Sequence, residues 1–161
     1  MKFSKNELPL ILVKIGTRIN EWGWSWKKFQ SVIEHILKNN IANIWRQGGN
    51  HQEAIDLFKR AIQADPKLIQ AYVGVATSFL ALGDLDQAAS SAAQALGINE
   101  SAPGVNEILG IVFQNRSKPE QAVEYYQKEL EVHPQASNSL LNLGILLLQK
   151  GQAQAAVEFL V

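Results

Sequence analysis

The stretch NLGILLLQKG at residues 142–151, followed by Ala156, decides the fold. It contains a Leu-Gly pair, a large apolar residue and a glycine, and the same or similar residues recur at these positions at intervals of 34 residues. The units that align without a gap are 35–68, 69–102, 103–136 and 137–161. Their shared alanine is Ala54, Ala88, Ala122 and Ala156. Self-similarity at a fixed period of this length indicates a stack of identical supersecondary units.

Each unit has the pattern of a helical hairpin. Apolar residues at i, i+3, i+4 and i+7 predict a first amphipathic helix, and a Gly-containing turn follows it. The second helix is expected to open with a capping box, in which a side chain at the N-cap and another three residues later satisfy free backbone N–H groups. The pairs are Asn50 with Glu53, Asp84 with Gln87, and Ser117 with Glu120. Pro66 and Pro134 then stop the second helix of two units.

The repeated pattern resembles the tetratricopeptide repeat (TPR) family over residues 35–161. The resemblance implies an all-α fold, an α-α superhelix (solenoid) of stacked helical hairpins with a partial fourth repeat at 137–161. Three residues depart from the family pattern, since Glu100 replaces a proline, Ser117 a glycine and Glu129 a small residue. A buried, unpaired glutamate is costly. We therefore expect the third unit to be looser at Glu129, or its side chain to turn outward.

Residues 1–34 do not fit the repeat and are predicted to form an N-terminal helical cap over the first unit. Proline at position 9 suits a first helical turn, and apolar residues follow at helical spacing. The cluster Trp22, Trp24 and Trp26 is expected to pack on the first repeat, with a stacking platform for sugars or bases as the alternative.

The sequence stops at Val161, inside the second helix of the fourth repeat. Solenoids need a polar terminal unit, and no such unit follows here. The chain is therefore expected to be a fragment of a longer protein. The alternative is that another chain covers this edge, which would allow self-association through the uncapped C-terminal repeat.

Composition and charge exclude several classes of function. Fifteen Lys and Arg residues balance fifteen Asp and Glu residues, so the basic face that nucleic acid requires is not expected. The absence of cysteine excludes disulfides, thiolate metal sites and cysteine nucleophiles. No apolar run approaches the ~20 residues of a membrane span, and no secretory signal is evident. The expected location is cytoplasmic.

The chain also lacks the motifs of known catalytic and metal sites. His35, His51 and His133 are far apart and have no ligand spacing. Neither a phosphate-binding GxxxxGK[ST] loop nor a G-x-S-x-G elbow occurs. We therefore predict no enzyme activity, no cofactor and no metal in this chain.

The TPR resemblance implies that function lies in a concave groove lined by the first helix of each repeat. The residues at its groove positions that we select as the binding site are Asn39, Asn40, Asn43, Arg46, Val73, Thr77, Ile108, Ile111, Asn142 and Ile145. Other groove positions hold Leu80, Glu107, Gln114, Asn138, Leu141 and Leu148. The lysines and arginine with which some TPR proteins clamp a terminal carboxylate are absent from the matching positions. Asn40 and Asn142 resemble half of the asparagine ladder with which other TPR superhelices hold a peptide backbone.

Two functions remain open. The first is a protein–protein interaction scaffold that binds a peptide segment or a partner protein in the groove. The second is the non-catalytic, substrate-recognition front of a longer glycosyl-, sulfo- or methyltransferase whose catalytic domain lies beyond residue 161.

Overall fold

A computed structural model describes residues 38–160 and contains eight helices and no strand within that range. The chain is already helical at the first described residue, and this helix, α1, covers 38–47. The others are α2 (His51–Ala64), α3 (Ile69–Leu82), α4 (Leu85–Ile98), α5 (Val105–Asn115), α6 (Pro119–Val132), α7 (Ser137–Gln149) and α8 (Ala153–Leu160). The predicted cap at 1–34 and its tryptophans lie outside the described residues.

The helices pack as a stack of hairpins, as the repeat predicts. Each helix from α2 onward packs against the next one along the chain, and the contacts within the hairpins α3–α4 and α5–α6 are the most extensive. The first helices of successive repeats, α3 and α5, also touch each other directly. These first helices therefore form the inner layer of the stack, with α2, α4 and α6 outside it. The four repeated alanines are fully buried, which confirms the register.

Large aromatic rings fill the space between helices where a glycine stands opposite. Phe58 and Tyr126 occupy the same position of the first and third repeats, and both are fully buried. A Cβ at Gly74 would overlap three carbons of the Phe58 ring. A Cβ at Gly110 would lie 2.5 Å from Cε1 of Tyr126. Neither ring has room to move in a close-packed interior, so both glycines are required by the packing.

The predicted capping boxes are half formed at one helix and wrong at two, because at the first the Asp84 N–H donates to the Phe79 backbone oxygen and not to Gln87. The Asp84 side chain accepts a hydrogen bond from the Gln87 N–H at 3.1 Å, as expected for the start of α4. Asn50 is the N-cap of α2, but its side chain makes no capping bond. The N-cap of α6 is Lys118, not Ser117, and no side chain caps this helix.

Ser117 has another role, which explains that error. Its φ is +55°, in the left-handed region where Gly49, Gly83 and Gly151 stand in the other repeats. It therefore continues the turn that ends α5 and cannot begin the next helix. Pro119 at the first turn of α6 starts that helix instead, since proline lacks the N–H that a cap would satisfy.

Of the two alternatives predicted for Glu129, the outward side chain is wrong. The side chain is only 1% exposed and points inward, where Oε1 accepts a hydrogen bond of 2.7 Å from the Gly104 N–H. Gly104 is the N-cap of α5, in the left-handed conformation with φ +75°. Glu129 thus satisfies a free backbone donor at a helix start, and this bond compensates part of the cost of burying it.

Ion pairs between adjacent repeats recur with the period of the sequence. Arg116 pairs with Asp86, and Lys150 pairs with Glu120 at 3.0 Å. Each base lies 34 residues from the other, as does each acid. The hydrogen bond from Lys150 holds the pKa of the exposed Glu120 carboxyl below its usual value. Exposed pairs of this kind contribute little energy but favour the observed register.

Two helical glycines give a matched test of the aromatic packing. Gly74→Ala should reduce the free energy of unfolding by about 1–3 kcal/mol, because the added methyl group collides with the buried Phe58 ring. Gly97→Ala in α4 should stabilise by up to about 1 kcal/mol, because alanine is the better helix former and meets nothing within 4 Å. Urea unfolding of both variants measures the difference. Equal effects would contradict the packing described.

Candidate functional site

A pocket opens on the inner layer between α1 and α3. Its volume is about 300 Å³ and Pro103, from the start of the third repeat, closes one end. It brings together four of the residues predicted from the sequence, namely Asn43, Arg46, Val73 and Thr77. The remaining lining residues are Ile69, Gln70 and Gly74. We call this the groove pocket.

Among the described residues, Arg46 is the only charged one that lines the groove pocket. Its Nη2 donates a long hydrogen bond of 3.5 Å to Asn43 Oδ1. The Asn43 amide in turn donates to the backbone oxygen of Asn39 at 3.1 Å. These two hydrogen bonds position the guanidinium group of Arg46. The buried Nε of Arg46 and the buried Oδ1 of Asn39 have no hydrogen-bond partner among the described residues.

The floor of the groove pocket is less polar. Val73 presents side-chain methyl groups to the pocket and Gly74 presents backbone. The Phe58 ring lies behind Gly74. Thr77 uses its hydroxyl hydrogen in a bond to the Val73 backbone oxygen, one turn earlier in α3. Its hydroxyl oxygen retains acceptor capacity. The pocket thus combines an apolar floor with a cationic wall.

An apolar stripe continues along the inner layer on α7. Leu141, Ile145 and Leu148 are spaced at i, i+4 and i+7, and 52%, 38% and 48% of their surfaces are exposed. All three occupy positions at which the sequence places the groove. Contiguous exposed apolar side chains typically mark an interaction surface.

The other predicted site residues do not all join this surface. Ile108 is 5% exposed and belongs to the core around Ala88 and Val112, and Ile111 packs against the core around Tyr126. Asn40 is exposed and Asn142 is half-buried, and neither amide is bonded to another described residue. Position six of the intervening repeats holds Gly74 and Ile108, where the Phe58 ring and burial leave no place for an amide.

A second pocket, of about 460 Å³, lies where the third repeat meets the loop before α7. The carboxylates of Glu107 and Glu129 both line it, beside His133. We call it the acidic pocket. Sequence reasoning missed it because Glu129 was expected to face outward. Its departure from Ala61 and Ala95, which stand at the same repeat position, was the available signal.

The Glu107 carboxylate accepts hydrogen bonds from α7 and acts electrostatically on Tyr126. Its two oxygens accept hydrogen bonds from Asn138 Nδ2 at 3.2 Å and Ser139 Oγ at 3.3 Å, which ties α5 to α7. The nearby Tyr126 hydroxyl donates to Gln114 Oε1 at 2.9 Å. Burial, and to a lesser extent the negative charge of Glu107, raise the pKa of Tyr126 above its usual value.

Neither a metal centre nor a membrane span is found in the described part of the chain. Within residues 38–160, His, Asp and Glu side chains form no group of three or more that could hold a metal ion. Over the same range, no helix combines the length and the apolarity required to cross a bilayer.

Comparison with known proteins gives consistent matches. A tetratricopeptide repeat family model matches residues 46–103, and a second tetratricopeptide repeat model matches residues 109–160. The photosystem I assembly protein Ycf3 of Acaryochloris marina is 30% identical over 109 residues, which are 64% of this chain and 66% of that protein. The BBSome complex member BBS4 of Bos taurus is 29% identical over 112 residues, 70% of this chain and 21% of that protein. The chain thus covers only part of each relative.

Solved structures with the same fold include three of different origin. The Pseudomonas aeruginosa protein pilF has a TM-score of 0.72 at 20% identity, over 81% of this chain and 60% of its own. MamA has 0.69 at 15% identity, over 99% and 92%. The first TPR domain of Spaghetti (RPAP3), bound to the HSP90 peptide SRMEEVD, has 0.68 at 21% identity, over 73% and 94%. At these low identities, the TM-scores show a shared fold and nothing more.

The raised pKa of Tyr126 predicts how stability depends on pH. The contribution of the neutral phenol is complete below the unfolded-state pKa near about 10 and is lost as the pH rises above it. Unfolding free energies measured from pH 8 to 11 should therefore fall more steeply for the wild type than for Tyr126→Phe. Identical slopes for the two proteins would contradict this.

Proposed function

Because the chain belongs to the tetratricopeptide repeat family, whose models match more than half of it, we propose that it is a protein-interaction scaffold that binds a peptide segment along its inner layer. The segment lies across the groove pocket and continues toward the apolar stripe on α7. The chain acts by binding and carries out no chemical step itself.

The observation that carries the proposal is the groove pocket. Its apolar floor suits a side chain of the ligand, and the positioned Arg46 guanidinium suits an acidic side chain or a backbone oxygen. A buried N–H without a partner is costly, and a ligand oxygen that draws the guanidinium toward itself would relieve that cost. The exposed leucines and isoleucine of α7 offer additional apolar contact area.

The names of the similar proteins agree with a scaffold. One relative is described as an assembly protein, another as a member of a complex, and one structural neighbour is bound to a peptide. None of these descriptions favours the alternative, in which the repeats serve a transferase. The bound peptide of that neighbour ends in an acidic sequence, and Arg46 is where an acidic residue would bind in this chain.

Arginine-to-alanine substitutions on the two layers test the proposal. A peptide is first selected on the wild-type chain from a random-peptide display library, synthesised and titrated by calorimetry. Arg46→Ala should weaken its binding by about tenfold or more, because a charge-assisted hydrogen bond is lost. Arg60→Ala removes the same side chain from an exposed position of α2 in the outer layer and should leave the affinity unchanged.

Arg46→Lys separates charge from geometry. It retains the positive charge but not the planar donor fork, so we expect affinity between those of the wild type and Arg46→Ala. Melting temperatures of all variants serve as the folding control. Equal affinity of Arg46→Ala and Arg60→Ala, with unchanged melting temperatures, would refute binding at the groove pocket.

A further inference from the structure

The acidic pocket has the features of a binding site for a positive charge. Two acidic residues, Glu107 and Glu129, line it, and within residues 38–160 no lysine or arginine does. Neither carboxylate forms an ion pair with another residue in the described range. The donors to Glu107 are neutral, an amide and a hydroxyl, so its charge is not cancelled.

A buried oxygen of Glu129 is a second feature that points to a cationic ligand. It is 1% exposed, and while Oε1 accepts from the Gly104 N–H, the buried Oε2 has no hydrogen-bond partner among the described residues. A carboxylate oxygen buried without a donor destabilises the fold. Packing does not require this residue, because alanine fills the same repeat position at Ala61 and Ala95 and is fully buried at both. A ligand with N–H donors and a positive charge would satisfy the free oxygen.

His133 does not fill that role. Its Nε2 lies 3.2 Å from the Ser101 backbone oxygen, so this nitrogen is engaged with the loop that precedes α5. The imidazole thereby forms a wall of the acidic pocket and fixes the loop.

The acidic pocket adjoins the groove pocket, because Pro103 lines both. We propose that the acidic pocket binds a lysine or arginine side chain of the peptide segment that lies in the groove, an inference that rests on the proposed function. The ligand then has a defined charge order, with an acidic or carbonyl group at Arg46 and a cationic side chain beyond Pro103. The cation donates hydrogen bonds to Glu129 Oε2 and balances Glu107 electrostatically.

Small cations test the acidic pocket without any peptide. The ¹⁵N-labelled full chain is titrated with butylammonium chloride and with methylguanidinium chloride, and with butanol in sodium chloride as the neutral control. We expect saturable shifts of the amide signals of Gly104 and of residues 133–136 with one or both cations and none with butanol. The two cations distinguish a lysine-type from an arginine-type ligand.

Two substitutions on α6 provide the matched comparison. Glu129→Gln keeps the volume of the side chain and an acceptor for the Gly104 N–H, but removes the charge, and should weaken cation binding by about tenfold. Glu131→Gln removes an exposed carboxylate two residues away, outside the acidic pocket, and should bind as the wild type does. If Glu129→Gln fails to fold, Glu107→Gln tests the second carboxylate in the same way.

The possible results separate the two proposals. Shifts of equal size in Glu129→Gln and Glu131→Gln, or equal shifts with butanol, would overturn the cation site. So would the absence of any shift at Gly104, since a trapped water molecule would then be the partner of Oε2. Such a failure leaves peptide binding at Arg46 intact, whereas loss of peptide binding with retained cation shifts would refute the groove and keep the acidic pocket.

Discussion

The structure depends on the close approach of an aromatic ring to a helix that has a glycine at the contact. Phe58 lies between α2 and α3 at Gly74, and Tyr126 lies between α6 and α5 at Gly110. The first contact joins two repeats and the second lies within one. In both, the missing Cβ lets a fully buried ring fill the space between helices, so that the helices meet through side chains and backbone without a cavity. This contact has a direct consequence for the site, because Gly74 forms part of the floor of the groove pocket.

The repeat in the sequence predicts the helices and their register well, since both follow from spacing. The alanines that recur every 34 residues are all buried, and helix boundaries fall near the predicted turns. Local chemistry was harder to predict. Ser117 was expected to cap a helix, yet it adopts the left-handed turn conformation of the glycines it replaces, which no propensity favours for serine. Glu129 was expected to lie in a looser unit or to face outward. The donor that it binds, the Gly104 N–H, is 25 residues away in sequence and could not be identified from spacing.

Part of the candidate site could also be predicted from the spacing of the repeat. Asn43, Arg46, Val73 and Thr77 do converge on one pocket, since position within the repeat determines which side of a first helix they occupy. Ile108 is buried in the core although it shares the repeat position of Asn40, because burial depends on the neighbouring side chains as well as on register. The acidic pocket depends on Glu129, which departs from the repeat, lying beside Glu107, and spacing alone does not predict that the two come together. The recurring ion pairs of Arg116 and Lys150 could have been found, since the bases and their acidic partners both follow the period.

We propose that the inner layer of first helices is the binding surface and that the outer layer is not. The most direct measurement is an amide chemical-shift map of the ¹⁵N-labelled full chain, titrated with the library-selected peptide. We expect the largest shifts on α1, α3, α5 and α7, centred on the groove pocket and continuing past Pro103 toward Leu141 and Ile145. Shifts confined to the outer helices α2, α4 and α6, with the inner layer unperturbed, would contradict it.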